Sequence, residues 1–307
     1  MPLVSAKEIL EKAKRANYAV GAFNINNMEI LQGIISACKK ALSPVIIGVS
    51  EGAISYAGFN FIVSMVKTAV DESIIPVALH LDHGKNIDTI ANCINGGFTS
   101  VMIDGSHLNF EENIKVTKEV AQLAKPRGIS VEGELGRLVG VEDMVSVDEK
   151  EAILTDPEAA EEFVEKTGVD FLAIAIGTSH GAYKFKGEPK IDIERLKQIR
   201  ERVDIPLVLH GASSVPEWVL ERAIRYGAKL HGARGVPEDA IREAIKNGIC
   251  KVNIDTDIRL ALIGAIREVL TEKPEEFDPR KYLGPGRDAI EKVVLEKIEL
   301  LGSSGKV

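Results

Sequence analysis

The chain has 307 residues, 45% of them hydrophobic and 27% charged, a globular composition that excludes a disordered or fibrous protein. Lys and Arg number 38 against 46 Asp and Glu, a formal charge of -8, so the chain lacks the basic footprint of a nucleic-acid binder or an anionic-membrane binder. Aromatic residues are only 5%, which also disfavours a base-stacking platform. An anionic ligand would have to be met by a local site. Cys38, Cys93 and Cys250 are far apart with no C-x-x-C spacing, as expected of a reduced, cytoplasmic protein rather than a disulfide framework. The first residues carry no apolar signal-peptide core. No apolar run approaches the roughly 18 residues that span a bilayer.

Short apolar runs alternate with longer segments of helical period. Strands are expected at 19–23, 45–49, 77–81, 100–103, 130–134, 171–176, 207–209 and 249–254. Their near-continuous Val, Ile, Leu and Ala content suits strands buried on both faces. Amphipathic helices are expected at 28–41, 60–71, 87–95, 110–125, 157–167, 193–203, 217–226 and 258–271. Asp156-Pro157-Glu158 forms a capped helix start. Eight strands alternating with eight helices predict an α/β fold, a (β/α)8 TIM barrel. The rival, a doubly wound open sheet, would show G-x-G-x-x-G after its first strand; Gly21-Ala22-Phe23-Asn24-Ile25-Asn26 does not. Extra helices are expected at 6–16 and 286–300, and 138–150 reads as a long polar loop. One domain is expected over 1–307, with an insertion near 227–247 and a C-terminal helical extension near 275–307.

In such a barrel the C-terminal strand ends share one face, and that face carries the chemistry. The residues there are Asn24, Ser50, Asp82-His83, Asp104, Glu134, 177–181, 210–213 and 253–257. His83, His180 and His210 follow the third, sixth and seventh strands, and three imidazoles with an open fourth position describe a catalytic zinc site. Unrelated histidines satisfied by backbone are the alternative. His80 reads as a core or supporting residue, and His107 and His231 as ordinary loop residues. Asp82 cannot share the direction of His83 along a regular strand, though a turn at Gly84 would bring it beside the metal. It is then either a proton-moving group or a carboxylate orienting an imidazole, and the residues leave these equal. Asp104 and Glu134 suit supporting contacts or a further cation, and one of Glu132 and Glu134 is expected to face the barrel interior. The glycine-rich stretches 177–181 and 211–214 offer backbone N–H groups to an anion. Asn253-Ile254-Asp255-Thr256 leads into a helix N-terminus that favours phosphate. Together with a metal these suggest a phosphorylated substrate.

Leu81-Asp82-His83-Gly84, Ser100-Val101-Met102-Ile103-Asp104, Val131-Glu132-Gly133-Glu134-Leu135-Gly136, Ala175-Ile176-Gly177-Thr178-Ser179-His180-Gly181, Leu209-His210-Gly211-Ala212-Ser213 and Lys251-Val252-Asn253-Ile254-Asp255-Thr256-Asp257 occur in one order. In this the sequence resembles the class II, metal-dependent fructose-1,6-bisphosphate aldolases, from Gly21 to the Tyr282-Leu283-Gly284-Pro285 segment. The resemblance implies a lyase of glycolysis and gluconeogenesis. It would reversibly split fructose 1,6-bisphosphate into dihydroxyacetone phosphate and glyceraldehyde 3-phosphate through a zinc-stabilised enediolate. It implies His83, His180 and His210 as zinc ligands, Asp104 and Glu134 at a second divalent cation, and Asp82 as the acid–base residue at the C4 oxygen. Glu142 matches a mobile-loop acid. Gly181, Gly211, Ala212 and Ser213 match a phosphate cradle assisted by a monovalent cation, Na+ or K+. Asn253, Ile254, Asp255 and Thr256 match the segment gripping the sugar backbone, and Ser50 a glyceraldehyde-3-phosphate contact. Lys184, Arg259 and Arg280 are further phosphate candidates. Lys251 is the one residue a Schiff-base mechanism would use, and three aligned imidazoles outweigh it. A homodimer or homotetramer is expected. The alternatives are a tagatose-1,6-bisphosphate aldolase, differing at C4, and a metal-dependent phosphosugar isomerase or epimerase; a non-catalytic sugar-phosphate-binding regulator is the remaining class.

Overall fold

The structure is a computed structural model describing residues 3–71, 73–142, 145–147, 153–180, 191–230 and 235–307, with the backbone alone described at 139–142, 145–147 and 180. In chain order the elements are α1 (Ala6–Ala16), β1 (Val20–Asn24), α2 (Met28–Ala41), β2 (Val45–Ser50), α3 (Glu51–Ala57), α4 (Phe59–Asp71), β3 (Val77–Gly84), α5 (Ile87–Gly96), β4 (Ser100–Ile103), α6 (Phe110–Ala124) and β5 (Ser130–Leu135). There follow β6 (Val139–Glu142), β7 (Val145–Val147), α7 (Pro157–Thr167), β8 (Phe171–Ile174), β9 (Ser179–His180), α8 (Ile193–Arg202), β10 (Leu207–Leu209), α9 (Glu217–Arg225), α10 (Glu238–Lys246), β11 (Ile249–Ile254), α11 (Thr256–Glu272) and α12 (Pro279–Leu301).

Eight parallel strands close in the order β1-β2-β3-β4-β5-β8-β10-β11, the last pairing with the first from Val20↔Lys251 to Phe23↔Ile254. This is the expected (β/α)8 barrel. Apolar residues on the outward faces of the strands pack under the surrounding helices in one continuous core. A second cluster fills the barrel floor: Ala6, Ile9, Leu10 and Ala13 of α1 meet Val20, Ala22, Ile46, Ala78 and Phe171. α1 is therefore a plug at the N-terminal end of the strands, anchored by Lys7 Nζ to Asp170 at 2.8 Å. With the floor sealed by apolar side chains, the other end is the one left for polar groups. Inward positions change with height, from Ala78 through His80 to Asp82 on β3, and from Val20 through Ala22 to Asn24 on β1.

Three expectations need correction. The segment 138–150 is not all loop: β6 and β7 pair antiparallel, and β6 also pairs with β9 through Val139↔Ser179 and Gly140↔His180. The alternating valines Val139, Val141, Val145 and Val147 carry the strand period that the polar residues around them mask. An additional helix, α3, precedes α4; Ser50 caps it by accepting from Ala53 N at 3.1 Å, and Gly58 at φ +86° separates the two. The C-terminal helix begins at Pro279 rather than near 286, because Asp278 accepts from Arg280 N and supplies the cap. The cap at Asp156 and the helix within 227–247, now α10, stand as expected. Among the described residues no single helix is long and apolar enough to cross a membrane.

Candidate metal centre and active site

Strict alternation along β3 would send His83 to the helix side, opposite Asp82. Instead His83 adopts φ +50°, a left-handed conformation rare for a residue with a Cβ. Pairing between β3 and β4 slips in register between Leu81 and Gly84 at the same place. The reversal thus lies at His83 itself, not at Gly84, where it was expected. Gly84 meets a different need, since a Cβ there would stand 2.6 Å from the Met102 carbonyl oxygen. Such local strain is characteristic of functional positions.

Its result is convergence. One ligand atom from each of Asp82, His83 and His210 lies within 4.8 Å of the others, and the rings of His83 and His210 have centroids 4.6 Å apart. A second group of the same kind joins His83, Asp104 and Glu134. Each ring has one nitrogen held by carboxylate. His83 Nδ1 faces Asp104 Oδ2 at 3.3 Å and Glu134 Oε2 at 3.5 Å, while His210 Nε2 faces Glu132 Oε1 at 2.8 Å. A metal taken by either ring would then be taken by the second nitrogen, Nε2 of His83 and Nδ1 of His210. Carboxylates oriented behind imidazoles are the usual support of metal-ligating histidines. The donors are nitrogen and oxygen, mostly buried, and they fit a divalent transition-metal ion.

Two of the three expected histidines are thus brought together. His180 has its backbone in β9, paired to β6, and its side chain lies outside the described residues. Gly181 and Lys184 also lie outside them, and Glu142 is described in its backbone alone.

Asp82 is 1% exposed and lies between two amides: Asn24 Nδ2 donates to Oδ2 at 2.8 Å and Asn253 Nδ2 donates to Oδ1 at 2.9 Å. These come from the mouths of β1 and β11, on either side of the barrel seam. Both amides fix the carboxylate's plane beside the imidazoles. Asn24 was expected at the mouth but given no role, and its amide is visible as a partner only once the strands are laid side by side.

Electrostatics follow the burial. Burial alone would raise the Asp104 carboxyl, but the hydrogen bond and charge of His83, with two donors from Ser106, hold it well below the usual carboxylate range. Burial likewise opposes ionisation of Glu132, and the Lys251 cation together with His210 and His80 overcomes it, again holding the group low. His210 is pushed down by burial, against the pull of Glu132, and so stays neutral, the form that ligates a metal. Of the two acids on β5, Glu132 is the one in the interior, and Glu134 is near the mouth. Lys251 is fully buried, with Nζ 2.7 Å from Glu132 Oε2, and does not reach the mouth as a Schiff-base lysine would.

The glycine-rich turn after β10 is held by its neighbours. Gly211 has φ +61°, and a Cβ there would come 2.7 Å from the backbone of Ser179. Thr178 Oγ1 donates to the His210 carbonyl at 2.7 Å. Ala212 and Ser213 are buried, and Val236 N donates to Ser213 O at 3.0 Å. Lys297 of α12 donates to Ser214 O and stands 3.1 Å from Asp257 Oδ1. Asn253 and Ile254 end β11, and Asp255 and Thr256 open α11, with Arg259 Nε 2.7 Å from Asp255 Oδ1. Arg280 is exposed and paired with Asp278. The hydroxyl of Ser50, at the mouth of β2, caps α3.

The sequence model of the family described as Fructose-bisphosphate aldolase class-II matches residues 4–229 and 228–306. The chain belongs to this family. It is 51% identical over 304 residues to the fructose-bisphosphate aldolase of Thermus caldophilus, covering 99% of each chain, and 50% identical over 306 residues to that of Helicobacter pylori, covering 99% and 100%. Among solved structures it resembles the YdjI aldolase from Escherichia coli K12, with TM-score 0.80 and 34% identity over 99% of each chain. A putative fructose-1,6-biphosphate aldolase from Coccidioides immitis gives TM-score 0.81 and 31% identity over 98% and 97%. Class II aldolases are metal-dependent lyases acting on phosphosugars, in keeping with the imidazole and carboxylate groups at this barrel's mouth.

Proposed function

We propose that the chain reversibly cleaves fructose 1,6-bisphosphate into dihydroxyacetone phosphate and glyceraldehyde 3-phosphate, using zinc held by His83, His180 and His210. The observation that carries this reading is the convergence of Asp82, His83 and His210 at one point. Bound zinc would supply Lewis-acid polarisation of the ketose carbonyl, easing charge build-up as the C3–C4 bond breaks.

The chain's residues do the rest. Asp82 Oδ1 or Oδ2 takes the proton of the C4 hydroxyl as that carbon becomes the aldehyde, and returns it in condensation. Asn24 and Asn253 hold this carboxylate in one plane, so that no reorientation is needed when the proton moves. The backbone N–H groups of Gly181, Gly211, Ala212 and Ser213 bind one phosphate, beside the N-terminus of α11. Ser50 meets the other end, and Asn253, Ile254, Asp255 and Thr256 line the sugar backbone. Two phosphates held apart from the scissile bond keep it in register. Glu142 is read as a second proton-transfer acid, Asp104 and Glu134 as ligands of a second divalent cation, and the cradle as accepting Na+ or K+.

We read the protein as one barrel domain working in the cytoplasm as a homodimer or homotetramer, on its three buried free cysteines and its added helices; native mass measurement tests the assembly. Metal content measured together with aldol cleavage of fructose and tagatose 1,6-bisphosphates tests the function. Zinc and a higher kcat/KM for the fructose ester are expected. A preference for the tagatose ester overturns the substrate, and failure to release triose phosphates favours an isomerase or epimerase.

A further inference from the structure

Below the mouth, the middle level of the barrel is charged. His80 of β3, Glu132 of β5, His210 after β10 and Lys251 of β11 are all 0% exposed. Glu132 is their hub: Oε1 lies 2.8 Å from His210 Nε2, and Oε2 lies 2.7 Å from Lys251 Nζ and 3.3 Å from His80 Nε2. His80 Nδ1 is in turn 2.8 Å from Ser100 Oγ of β4. The network runs across the barrel, joining strands β3, β4, β5 and β11 to the turn after β10.

Stability does not account for it. A buried ion pair often contributes no more than apolar residues of similar volume, and the level just beneath is filled by Val20, Ala22, Ile46 and Ala78. What apolar filling could not supply is an acceptor fixed against His210 Nε2. That acceptor decides which nitrogen of the ring carries the proton and therefore which faces the mouth. Lys251 Nζ, 2.7 Å from the other Glu132 oxygen, Oε2, holds that carboxylate in the orientation that meets the ring.

We propose that Lys251 is a positioning residue for the metal: acting through Glu132, it locks the His210 ring with Nδ1 turned to the ion. The proposal rests on the reading of His210 as a metal ligand.

Zinc affinity of the purified full chain, measured by competition with a chromophoric chelator, tests it. Glu132→Gln and Lys251→Met are each expected to weaken zinc binding about 10- to 100-fold, the usual effect of removing a ligand's support. If Lys251 acts through Glu132, the double variant binds zinc within about twofold of Glu132→Gln, since coupled residues are not additive. Unchanged affinity in Lys251→Met or Glu132→Gln overturns the proposal, as does a loss in the double variant as large as the two single losses combined. Should Lys251→Met fail to fold, Lys251→Gln takes its place with the same expected loss, and unchanged zinc affinity in it overturns the proposal. His210→Ala separates the two readings. If it retains zinc at full affinity, the ligand assignment itself falls. If it loses zinc while Lys251→Met does not, the positioning role alone falls.

Discussion

Asp82 and His83 are consecutive on one strand yet turn to the same point, because the backbone reverses at His83 with φ +50°. In the proposed mechanism the pair divides the work: His83 would hold the metal, while Asp82, buried and held between Asn24 and Asn253, would move the proton. Asp82→Ala should therefore keep zinc and lower kcat by about 10²–10⁴-fold, the contribution typical of a positioned acid–base group. Metal analysis and steady-state kinetics on the same preparation check this. A near-normal kcat would remove the proton-transfer role.

Lys251 is sealed in an ion pair with Glu132 beneath the mouth. Borohydride added with substrate should therefore leave activity intact, because Lys251 is buried below the mouth and is not positioned to form an imine. Chelator should abolish cleavage and added zinc restore it. Reductive inactivation with a substrate adduct found on Lys251 by mass spectrometry would contradict the burial.

Gly211 combines a left-handed backbone with a close approach to Ser179. Gly211→Ala adds a Cβ where backbone already stands and should cost about 1–2 kcal/mol from φ alone. Since the turn is read as the phosphate cradle, KM for the bisphosphate should rise more than kcat falls. An unchanged KM and melting temperature would show that the turn is not constrained.

In metal-free protein, His80 and His210 are held below their ordinary value of 6.5 by burial. Unfolded chains take up these protons as pH falls below 6.5 while the folded chain resists, so stability declines with acid. Glu132 and Asp104, held below 4.5 and 3.8 despite burial, contribute stability that is full above those values and is lost as pH falls toward their folded ones. The urea midpoint of chelator-treated protein should drop between about pH 8 and about pH 5, and further below about pH 4. A flat profile would contradict the network of charges.

The barrel was legible because strand runs and helical period recur eight times, and the mouth was legible because strand ends are where the motifs fall. Less visible was anything that depends on a neighbour across the sheet. Alternation implied that Asp82 and His83 diverge, and only the register slip at Leu81/Gly84 resolves the conflict. Glu132 shared its parity with Glu134, but its partners His210 and Lys251 lie just after β10 and on β11, far away in sequence. The β6–β7 hairpin was hidden because four alternating valines sit among charged and glycine residues. α3 escaped notice because a seven-residue helix carries too few turns to show a period.

The seam between β1 and β11 has a consequence for synthesis. While a ribosome is still making the chain, the first strand can pair with β2 on one edge, but its other edge must wait for β11, when most of the polypeptide has emerged. The same late strand brings Lys251 and Asn253, so until then Glu132 has no countercharge and Asp82 lacks one of its two amides. Closure of the cylinder, and with it the full set of partners around Glu132 and Asp82, is thus timed by the arrival of the final stave.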